Sequence, residues 1–283
     1  MSAAGLLTSL NFRSRQRTLP GFGLSMGFTL FYLGSIVLVP LLALCIRPWS
    51  LGFEGFWAAI STPRVLASLR LSFGMAALAA MIVSVFGFII AWVLVRYRFA
   101  GHRLFDALID LPFALPTAVA GIALSTLYAP NGWLGSILAP YGIKIAYTPW
   151  GVLVAMTFIG LPFSVRSLQP VMAELGAELE EAAAMLGATR IQTLARIVIP
   201  MLMPTILTGA AIGFARGVGE YGSIIFIAGN LPMVSEIAPL LIVTKLEQFD
   251  YAGAAAIGVV MLVAAFIMLL ALNALQSWSA KRR

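Results

Sequence analysis

The sequence predicts an all-α membrane protein with six transmembrane helices. Of its 283 residues, 61% are apolar and only 10% are charged, and the mean hydropathy is +0.98. A water-soluble domain carries roughly 25% charged residues, so this chain has too little polar surface to cover a soluble globule. Disordered chains are poor in apolar residues and rich in charge, which excludes that class as well. Long uncharged runs and an uneven placement of basic residues support the same fold class.

The first half of the chain contains three uncharged runs long enough to cross a bilayer, whose core of about 30 Å needs roughly 20 apolar residues in a helix. These runs lie between Arg17 and Arg47, between Arg70 and Arg96, and between Asp110 and Lys144. The third run is too long for one helix. Its segment Ala129-Pro130-Asn131-Gly132 predicts a turn, so we expect that span to end near Tyr128.

Three further spans are predicted in the second half. They run from about Thr148 to Val165, from about Ile199 to Phe226, and from Asp250 to a point before Lys281. Only the fifth span contains charged residues. Between the first and second spans, residues 53–71 predict a short interfacial helix.

The first span is preceded by Arg13, Arg15 and Arg17, as a signal peptide is preceded by basic residues. Signal h-regions are only about 7–15 residues long, and the apolar stretch here is about twice that length. We therefore predict a retained helix with its N-terminus in the cytoplasm.

The basic residues support this orientation through the positive-inside rule. With both termini inside, twelve basic residues fall on the inner side, five fall on the outer side, and Arg216 lies within a span. The inner residues are Arg13, Arg15, Arg17, Arg96, Arg98, Arg103, Arg166, Arg190, Arg196, Lys281, Arg282 and Arg283, and the outer ones are Arg47, Arg64, Arg70, Lys144 and Lys245. Contact with anionic lipid headgroups accounts for the net charge of +7 without nucleic acid.

The loop between the fourth and fifth spans has more than thirty residues and is itself helix-forming. Pro170 is placed to begin a helix. Gly187 is suited to the left-handed position that ends this helix, and Thr189 is suited to cap the next. The pattern predicts a helix, a tight turn and a second helix, which on periodicity alone is also typical of a solvated hairpin without a partner.

The spacing in this loop resembles the EAA loop of ABC importer permeases, whose pattern is E-A-A, three residues, G, nine residues, I-x-L-P. The matching residues are Glu181, Ala182, Ala183, Gly187, Ile197, Ile199 and Pro200, with Ile199 where leucine is usual. In that family this loop forms a coupling helix that docks on an ATPase subunit. The resemblance therefore implies an ATPase partner.

Two charged residues lie deep in the fifth span. Arg216 and Glu220 are four residues apart, so they are able to pair on one helix, and such residues usually face the bundle interior or a water-filled path. A purely structural pair and a pair in which Arg216 receives an oxyanion both remain open. Gly219 and Gly222 flank Glu220 and are typical of a helix that is broken or lines a cavity, so these four residues are the candidates for a translocation path.

The segment from Arg216 to Gly222, continuing through Ala228-Gly229-Asn230, resembles the sulfate and molybdate branch of these permeases. The third span agrees, because residues 111–121 are similar to that branch's L-P-x-x-x-P-x-x-x-x-G pattern. Pro112 and Pro116 are predicted to kink this span.

The resemblance implies a six-helix type I, or MetI-like, importer permease that moves sulfate or thiosulfate across a bacterial inner membrane by alternating access. We expect residues 1–60 to form a cytoplasmic tail and first helix, residues 61–275 the permease core, and residues 276–283 a basic cytoplasmic tail. Lys144, Lys245 and Lys281 do not complete a phosphate-binding loop. By resemblance, two ATPase subunits bind ATP and Mg, a paralogous permease forms a heterodimer with this chain, and a periplasmic sulfate-binding protein delivers the anion.

Other functions remain as alternatives at this stage. Molybdate and tungstate are tetrahedral oxyanions like sulfate, and no residue separates them by physical argument. A secondary anion transporter would need no ATPase, and it leaves the EAA-like loop unexplained. An intramembrane hydrolase is disfavoured because Asp106, Asp110, Asp250 and His102 all lie outside the predicted spans. The single cysteine and single histidine also provide no Cys/His metal cluster, so we expect no metal and no cofactor in this chain.

Overall fold

The computed structural model describes residues 21–281, with side chains described as far as residue 274. The predicted N-terminal tail, the last two residues and the side chain of Lys281 therefore lie outside the described part. Within the described residues, every regular element is helical. The α-helices are α1 (Phe22–Leu33), α2 (Val39–Ile46), α3 (Gly52–Ile60), α4 (Pro63–Arg96), α5 (His102–Ile109), α6 (Leu111–Ala114), α7 (Thr117–Tyr128), α8 (Trp133–Leu138), α9 (Pro149–Glu174), α10 (Glu178–Met185), α11 (Arg190–Thr193), α12 (Ile199–Val218), α13 (Ile224–Ile227), α14 (Ala238–Glu247) and α15 (Tyr251–Lys281).

The chain divides into two compact units, one ending at Ile46 and the other beginning at Arg47. In the first unit, a π-helical turn at Gly34–Leu38 joins α1 to α2. Pro40 follows this turn and has no N–H to donate to a preceding carbonyl, which is a common reason for a helix to widen locally. Both α1 and α2 are apolar, and large side chains such as Leu24 and Phe28 of α1 are exposed. A helix of this composition is suited to a lipid environment.

Five helical stretches in the described residues are long and apolar enough to cross a membrane. They are Phe22–Ile60, Pro63–Arg96, Pro149–Glu174, Arg190–Val218 and Tyr251–Ala274. All of the spans expected from the sequence except the third have such a counterpart. The fifth ends earlier than predicted, and both differences bear on the site.

The predicted third span is divided into two short helices. Leu115 and Pro116 adopt extended backbone conformations, with ψ of 134° and 135°, and α7 begins only at Thr117. Pro116 therefore breaks this helix rather than kinking it. Pro112 does not kink the helix either, because it lies in the first turn of α6, where a missing N–H costs nothing.

Two other boundaries differ from the prediction. The fifth span stops being helical at Val218 instead of continuing to Phe226. The predicted interfacial segment 53–71 is split, because α3 ends at Ile60 and Thr62 caps a new helix by accepting a hydrogen bond from the Val65 amide at 3.4 Å. Arg64 and Arg70 therefore belong to the first two turns of α4.

Helices α4, α9 and α12 form the centre of the second unit and approach each other at glycines. A β-carbon at Gly209 would lie 3.1 Å from the Ser164 Cα, one at Gly213 would lie 3.3 Å from Val83 Cγ2, and one at Gly217 would lie 3.4 Å from the Ala76 Cβ. The glycines at four-residue spacing in α12 thus pack against two neighbouring helices. Small residues permit such close backbone contact, which is a main source of helix association in membranes.

Candidate functional site

The end of α12 places a charged pair beside a break in the helix. Arg216 lies in the last turn of α12, Gly219 follows its end, and Glu220 lies in the turn before α13. Nη1 of Arg216 is 2.7 Å from Oε2 of Glu220. Glycine disfavours continuation of a helix, because ordering its backbone costs more entropy than for other residues. The glycines around Glu220 therefore favour the end of α12 at this point.

Glu220 is buried and its acceptors are used. Oε1 accepts hydrogen bonds from the backbone amide and the hydroxyl of Ser223, both at 3.0 Å, while Oε2 forms the ion pair with Arg216. Its side chain is only 2% exposed, whereas that of Arg216 is 36% exposed. Glu220 is thus a fixed anchor, and Arg216 keeps part of its guanidinium available to a passing group.

The break in the predicted third span faces the break after α12. A β-carbon at Gly121 would lie 2.8 Å from the Ser223 Cα and in closer collision with the Ser223 carbonyl oxygen. A β-carbon at Gly222 would lie 3.1 Å from the Thr117 Cβ and would collide with its hydroxyl. The N-terminal half of α7 and the segment around Ser223 therefore touch through their backbones, and two interrupted helices meet beside the Arg216–Glu220 pair.

This contact leads to a stability prediction. The Gly121→Ala variant forces the Ser223 backbone to move, because backbone atoms rather than a flexible side chain occupy the space. We expect a loss of about 1–3 kcal/mol, as is typical of overpacking, measured by thermal unfolding of the purified protein in detergent. Gly74→Ala is the matched control, since Gly74 lies in α4 and a β-carbon added there would meet no atom within 4 Å. Equal stability of the two variants would contradict the contact.

The first part of the EAA-like pattern, which includes Glu181, lies on the short helix α10 between two glycine turns. Gly176 and Gly187 both have positive φ, of 63° and 81°, and enclose α10. The expectation that Gly187 ends a helix in the left-handed conformation is confirmed. Thr189 caps α11 as expected, and its hydroxyl accepts from the Gln192 amide while its own amide donates to the Gln192 side chain.

The predicted start of this helix at Pro170 is wrong. Pro170 lies inside α9, which continues to Glu174 before the chain turns at Gly176. The proline omits one backbone hydrogen bond without ending the helix, and Leu168 and Met172 on either side of it are fully buried. Tertiary packing thus outweighs the local preference, as it often does for helix propensity.

The exposed surface of the segment is acidic at one end and apolar at the other. Glu181 and Ala182 are exposed and Ala183 is buried, while the side chains of Met185 and Leu186 are each 89% exposed. Ile197 and Ile199 are half-buried, and Pro200 is exposed near the start of α12. A large exposed apolar pair beside a carboxylate is typical of a surface that meets a partner. The sequence pattern indicates Glu181, and helical spacing indicates Leu186, but neither points to Met185.

Arg96 connects this segment to α4, a role that its position in the sequence does not reveal. Its Nη2 donates to the Gly176 carbonyl at 2.6 Å, and its Nε donates to Oε1 of Glu180 at 2.9 Å. The guanidinium also lies 5.6 Å from the centre of the Trp92 ring. Only 14% of the Arg96 side chain is exposed. Arg96 therefore connects both the Gly176 turn and α10 to the end of α4.

Removing these contacts should loosen α10. In Arg96→Gln we expect amide hydrogen exchange in residues 176–186 to become about ten-fold faster, since hydrogen bonds to charged groups contribute about 1.5–3 kcal/mol. Arg196→Gln is the control, because Arg196 is exposed and forms no ion pair within the described residues. The measurement is hydrogen–deuterium exchange by mass spectrometry. Unchanged exchange in Arg96→Gln would mean that α10 is held by other contacts.

A second arginine joins α9 to α5. Arg166 donates to Asp106 Oδ1 at 2.7 Å and to Asp110 Oδ1 at 2.8 Å. Gln169 donates to the same Asp106 oxygen at 3.1 Å. These hydrogen bonds, from Gln169 first and then from Arg166, hold the pKa of Asp106 below its ordinary value. The carboxylate of Asp106 is therefore ionised at neutral pH and pairs with Arg166 across the α5–α9 contact.

Comparison with known proteins identifies the family. Residues 83–283 match the family described as binding-protein-dependent transport system inner membrane component. The chain belongs to this family. The match includes both helix breaks and the whole segment around α10.

Relatives with named functions cover almost the whole chain. The permease family member "Sulfate transport system permease protein CysT" of Synechococcus elongatus is 50% identical over 257 residues, which is 91% of this chain and 92% of that protein. The protein of the same name from Escherichia coli K12 is 46% identical over 269 residues, covering 95% and 97%.

Solved structures share the permease fold. A bacterial ABC transporter involved in the import of the acidic polysaccharide alginate has a TM-score of 0.73 at 17% identity, covering 91% of this chain and 96% of that chain. The alginate transporter in complex with an alginate pentasaccharide-bound periplasmic protein has a TM-score of 0.72 at 18% identity, covering 89% and 92%. These likenesses support the fold alone.

Proposed function

We propose that this chain is the membrane permease subunit of an ATP-driven importer that moves sulfate, and also thiosulfate, across the bacterial inner membrane. The observation that carries the proposal is the near full-length identity, at 45–50%, to proteins named as sulfate transport permeases. The buried Glu220 and the partly exposed Arg216 at the meeting of two helix breaks are chemically suited to an oxyanion. Arginine presents several donors in a planar arrangement that matches such anions.

The two helix breaks provide a route for the anion. Non-helical backbone at membrane depth is tolerated where it is buried in protein or lines a water-filled cavity. In this proposal α6 and α7 together form the third transmembrane crossing, interrupted at Pro116, and bring the number of crossings to six. The start of α7 lies against Gly222, so its unpaired amides and its positive dipole end are close to the region where Arg216 lies.

The orientation follows the basic residues. Both termini are placed in the cytoplasm, so that Arg96, Arg166 and the α10 segment lie on the inner side. The outer side then includes Arg64, near the start of α4, which donates to Glu236 through two hydrogen bonds of 2.6 and 2.7 Å. A protease-accessibility or cysteine-labelling experiment at residue 186 from each side of the membrane checks this assignment.

Helix α10 acts as the coupling helix in this proposal. Glu181, Met185 and Leu186 present a carboxylate and an apolar pair to a groove on an ATPase subunit. Arg96 transmits the displacement of α10 to α4, and hence to the helices that pack on it. ATP binding to the ATPase pair then reorients the translocation path, which is the alternating-access cycle.

The proposed assembly needs several partners. ATP and Mg are bound by two ATPase subunits and not by this chain, which acts as a non-catalytic transport component. A paralogous permease completes the membrane part as a heterodimer, and a periplasmic sulfate-binding protein delivers the anion. The solved complex of a related fold with a periplasmic protein agrees with that arrangement.

Uptake of radiolabelled sulfate into proteoliposomes that contain the assembled complex tests the function. We expect uptake that requires ATP on the ATPase side, with weak competition by molybdate. Preferential uptake of molybdate or tungstate would change the substrate. Equal uptake by the permease alone, without ATPase, would instead support a secondary anion transporter and overturn the mechanism.

A further inference from the structure

Two cavities adjoin each other at the end of α4, away from the site described above. The first, of about 610 Å³, is polar and basic, and its lining includes Arg98, His102 and Arg103. The second, of about 380 Å³, is apolar, and its lining includes Val93 and Phe105. Leu94 and Phe99 line both cavities. The basic cavity and the apolar groove are therefore neighbours that share part of their walls.

The arginines of the first cavity have no partner of opposite charge within the described residues. Arg98 and Arg103 are exposed and form no ion pair there, although two carboxylates lie close by in sequence, at Asp106 and Asp110. Both carboxylates instead bind Arg166 on the side of α9. The positive charge of the cavity is thus left for an anion.

His102 lines the basic cavity and connects the start of α5 to the end of α4. Its Nε2 lies 2.8 Å from the Leu94 carbonyl oxygen, so this nitrogen carries the proton and donates it. The ring also lies 5.4 Å from that of Phe99. These contacts fix the turn that joins α4 to α5 and hold the basic cavity against the apolar groove.

Helix α5 is amphipathic. Its polar side, with Asp106 and the adjoining Asp110, contacts α9, whereas Leu104, Phe105 and Leu108 are exposed. Helices with one apolar and one charged side lie in the plane of the membrane interface. Helix α5 follows shortly after the uncharged run of α4, which ends at Arg96, so we expect α5 to lie at that boundary.

We propose that this pair of cavities binds one anionic phospholipid. The phosphate lies between Arg98 and Arg103, and an acyl chain follows the groove past Phe99 to Val93 and Phe105. A free phosphate or sulfate ion makes no contact that needs the apolar groove. A zwitterionic phospholipid offsets its phosphate with its own cationic group, so it gains less from the two unpaired arginines than an anionic one does. The combination of both surfaces favours a ligand that has both chemistries.

The test uses the purified, assembled transporter and phosphatidylglycerol as the probe. Lipid retention is measured by native mass spectrometry during titration with phosphatidylglycerol or phosphatidylcholine. We expect retention of phosphatidylglycerol and about thirty-fold weaker retention in the Arg98→Gln/Arg103→Gln double variant, from the usual contribution of basic residues near an anionic surface. Arg196→Gln, a single change of an exposed arginine that lines neither cavity, should retain the lipid.

A second variant tests the groove. Val93→Trp fills the apolar cavity and should weaken retention while both arginines remain, and unchanged elution of the complex in gel filtration confirms folding. Equal retention of phosphatidylcholine would overturn the proposal. Displacement of the lipid by millimolar inorganic phosphate would assign the site to a free anion instead. Absence of any lipid from the assembled complex would also overturn the proposal. That result would instead indicate that the second permease covers this face. None of these outcomes depends on whether the transported anion is sulfate.

Discussion

Replacing Glu220 by alanine is expected to abolish sulfate uptake and to destabilise the permease by about 3–5 kcal/mol, the usual cost of removing one partner of a buried ion pair. The change leaves Arg216 without its counter-charge inside the protein. It also leaves the Ser223 amide and hydroxyl without the carboxylate oxygen that accepts from both. Thermal unfolding and uptake by the assembled complex are the two measurements.

Two further variants separate stability from transport. Glu220→Gln keeps an oxygen that accepts from Ser223, and we expect an intermediate loss of stability. Arg216→Gln combined with Glu220→Gln removes both charges, so stability should return to within about 1 kcal/mol of the native protein, because removing both partners is far less costly than removing one. Uptake should stay below about a tenth of the native rate if Arg216 receives the anion. Restored uptake would show that the pair serves structure alone.

Glu181→Lys is expected to abolish ATP-driven uptake while membrane insertion and folding stay intact. Glu181 is exposed and has no ion-pair partner within the described residues, so its replacement breaks no ion pair there and costs only the small favourable effect of an acidic residue in the first turn of α10. The loss should come from the ATPase interface, where a mismatched charge costs several kcal/mol. Uptake in proteoliposomes and co-purification of the ATPase subunit measure the effect.

Glu54→Lys is the matched control for Glu181→Lys. Glu54 is an exposed glutamate on α3, and the same charge reversal there should leave uptake unchanged. Gly187→Asp should resemble Glu181→Lys, since Gly187 has a φ of 81° that side chains rarely adopt. Normal uptake by both Glu181→Lys and Gly187→Asp would contradict the coupling role of α10.

The long helices were predictable because charge-free runs report directly on burial in lipid. Spans near 63–96, 149–174 and 251–274 all follow such runs. The breaks at Pro116 and Gly219 were not predictable from hydropathy, since both lie within apolar sequence. Pro116 and the glycines around Glu220 favour the breaks locally. No local pattern encodes that the two broken helices meet, through the backbone contact between Gly121 and Ser223.

The candidate site was predicted in part. Arg216 and Glu220 are predictable because charged residues are rare in a span. The structure shows the ion pair that their four-residue spacing allows. Ser223 was missed because serine is common and its role depends on the turn of the chain. Arg96 was missed because its partner Glu180 lies 84 residues away in sequence. Spacing rules describe neighbours on one helix, and long-range pairing needs the fold.

The glycine contacts among α4, α9 and α12 have a mechanical consequence. At Gly209, Gly213 and Gly217 the helices are separated by little more than backbone thickness, so sliding one helix by a single residue, about 1.5 Å, would press side chains into the neighbouring main chain. We therefore expect the three helices to move as one rigid body. Changes of shape during a transport cycle are then expected where the packing is interrupted, at the extended residues before α7 and the turn after α12, so the hinges would coincide with the proposed route of the anion.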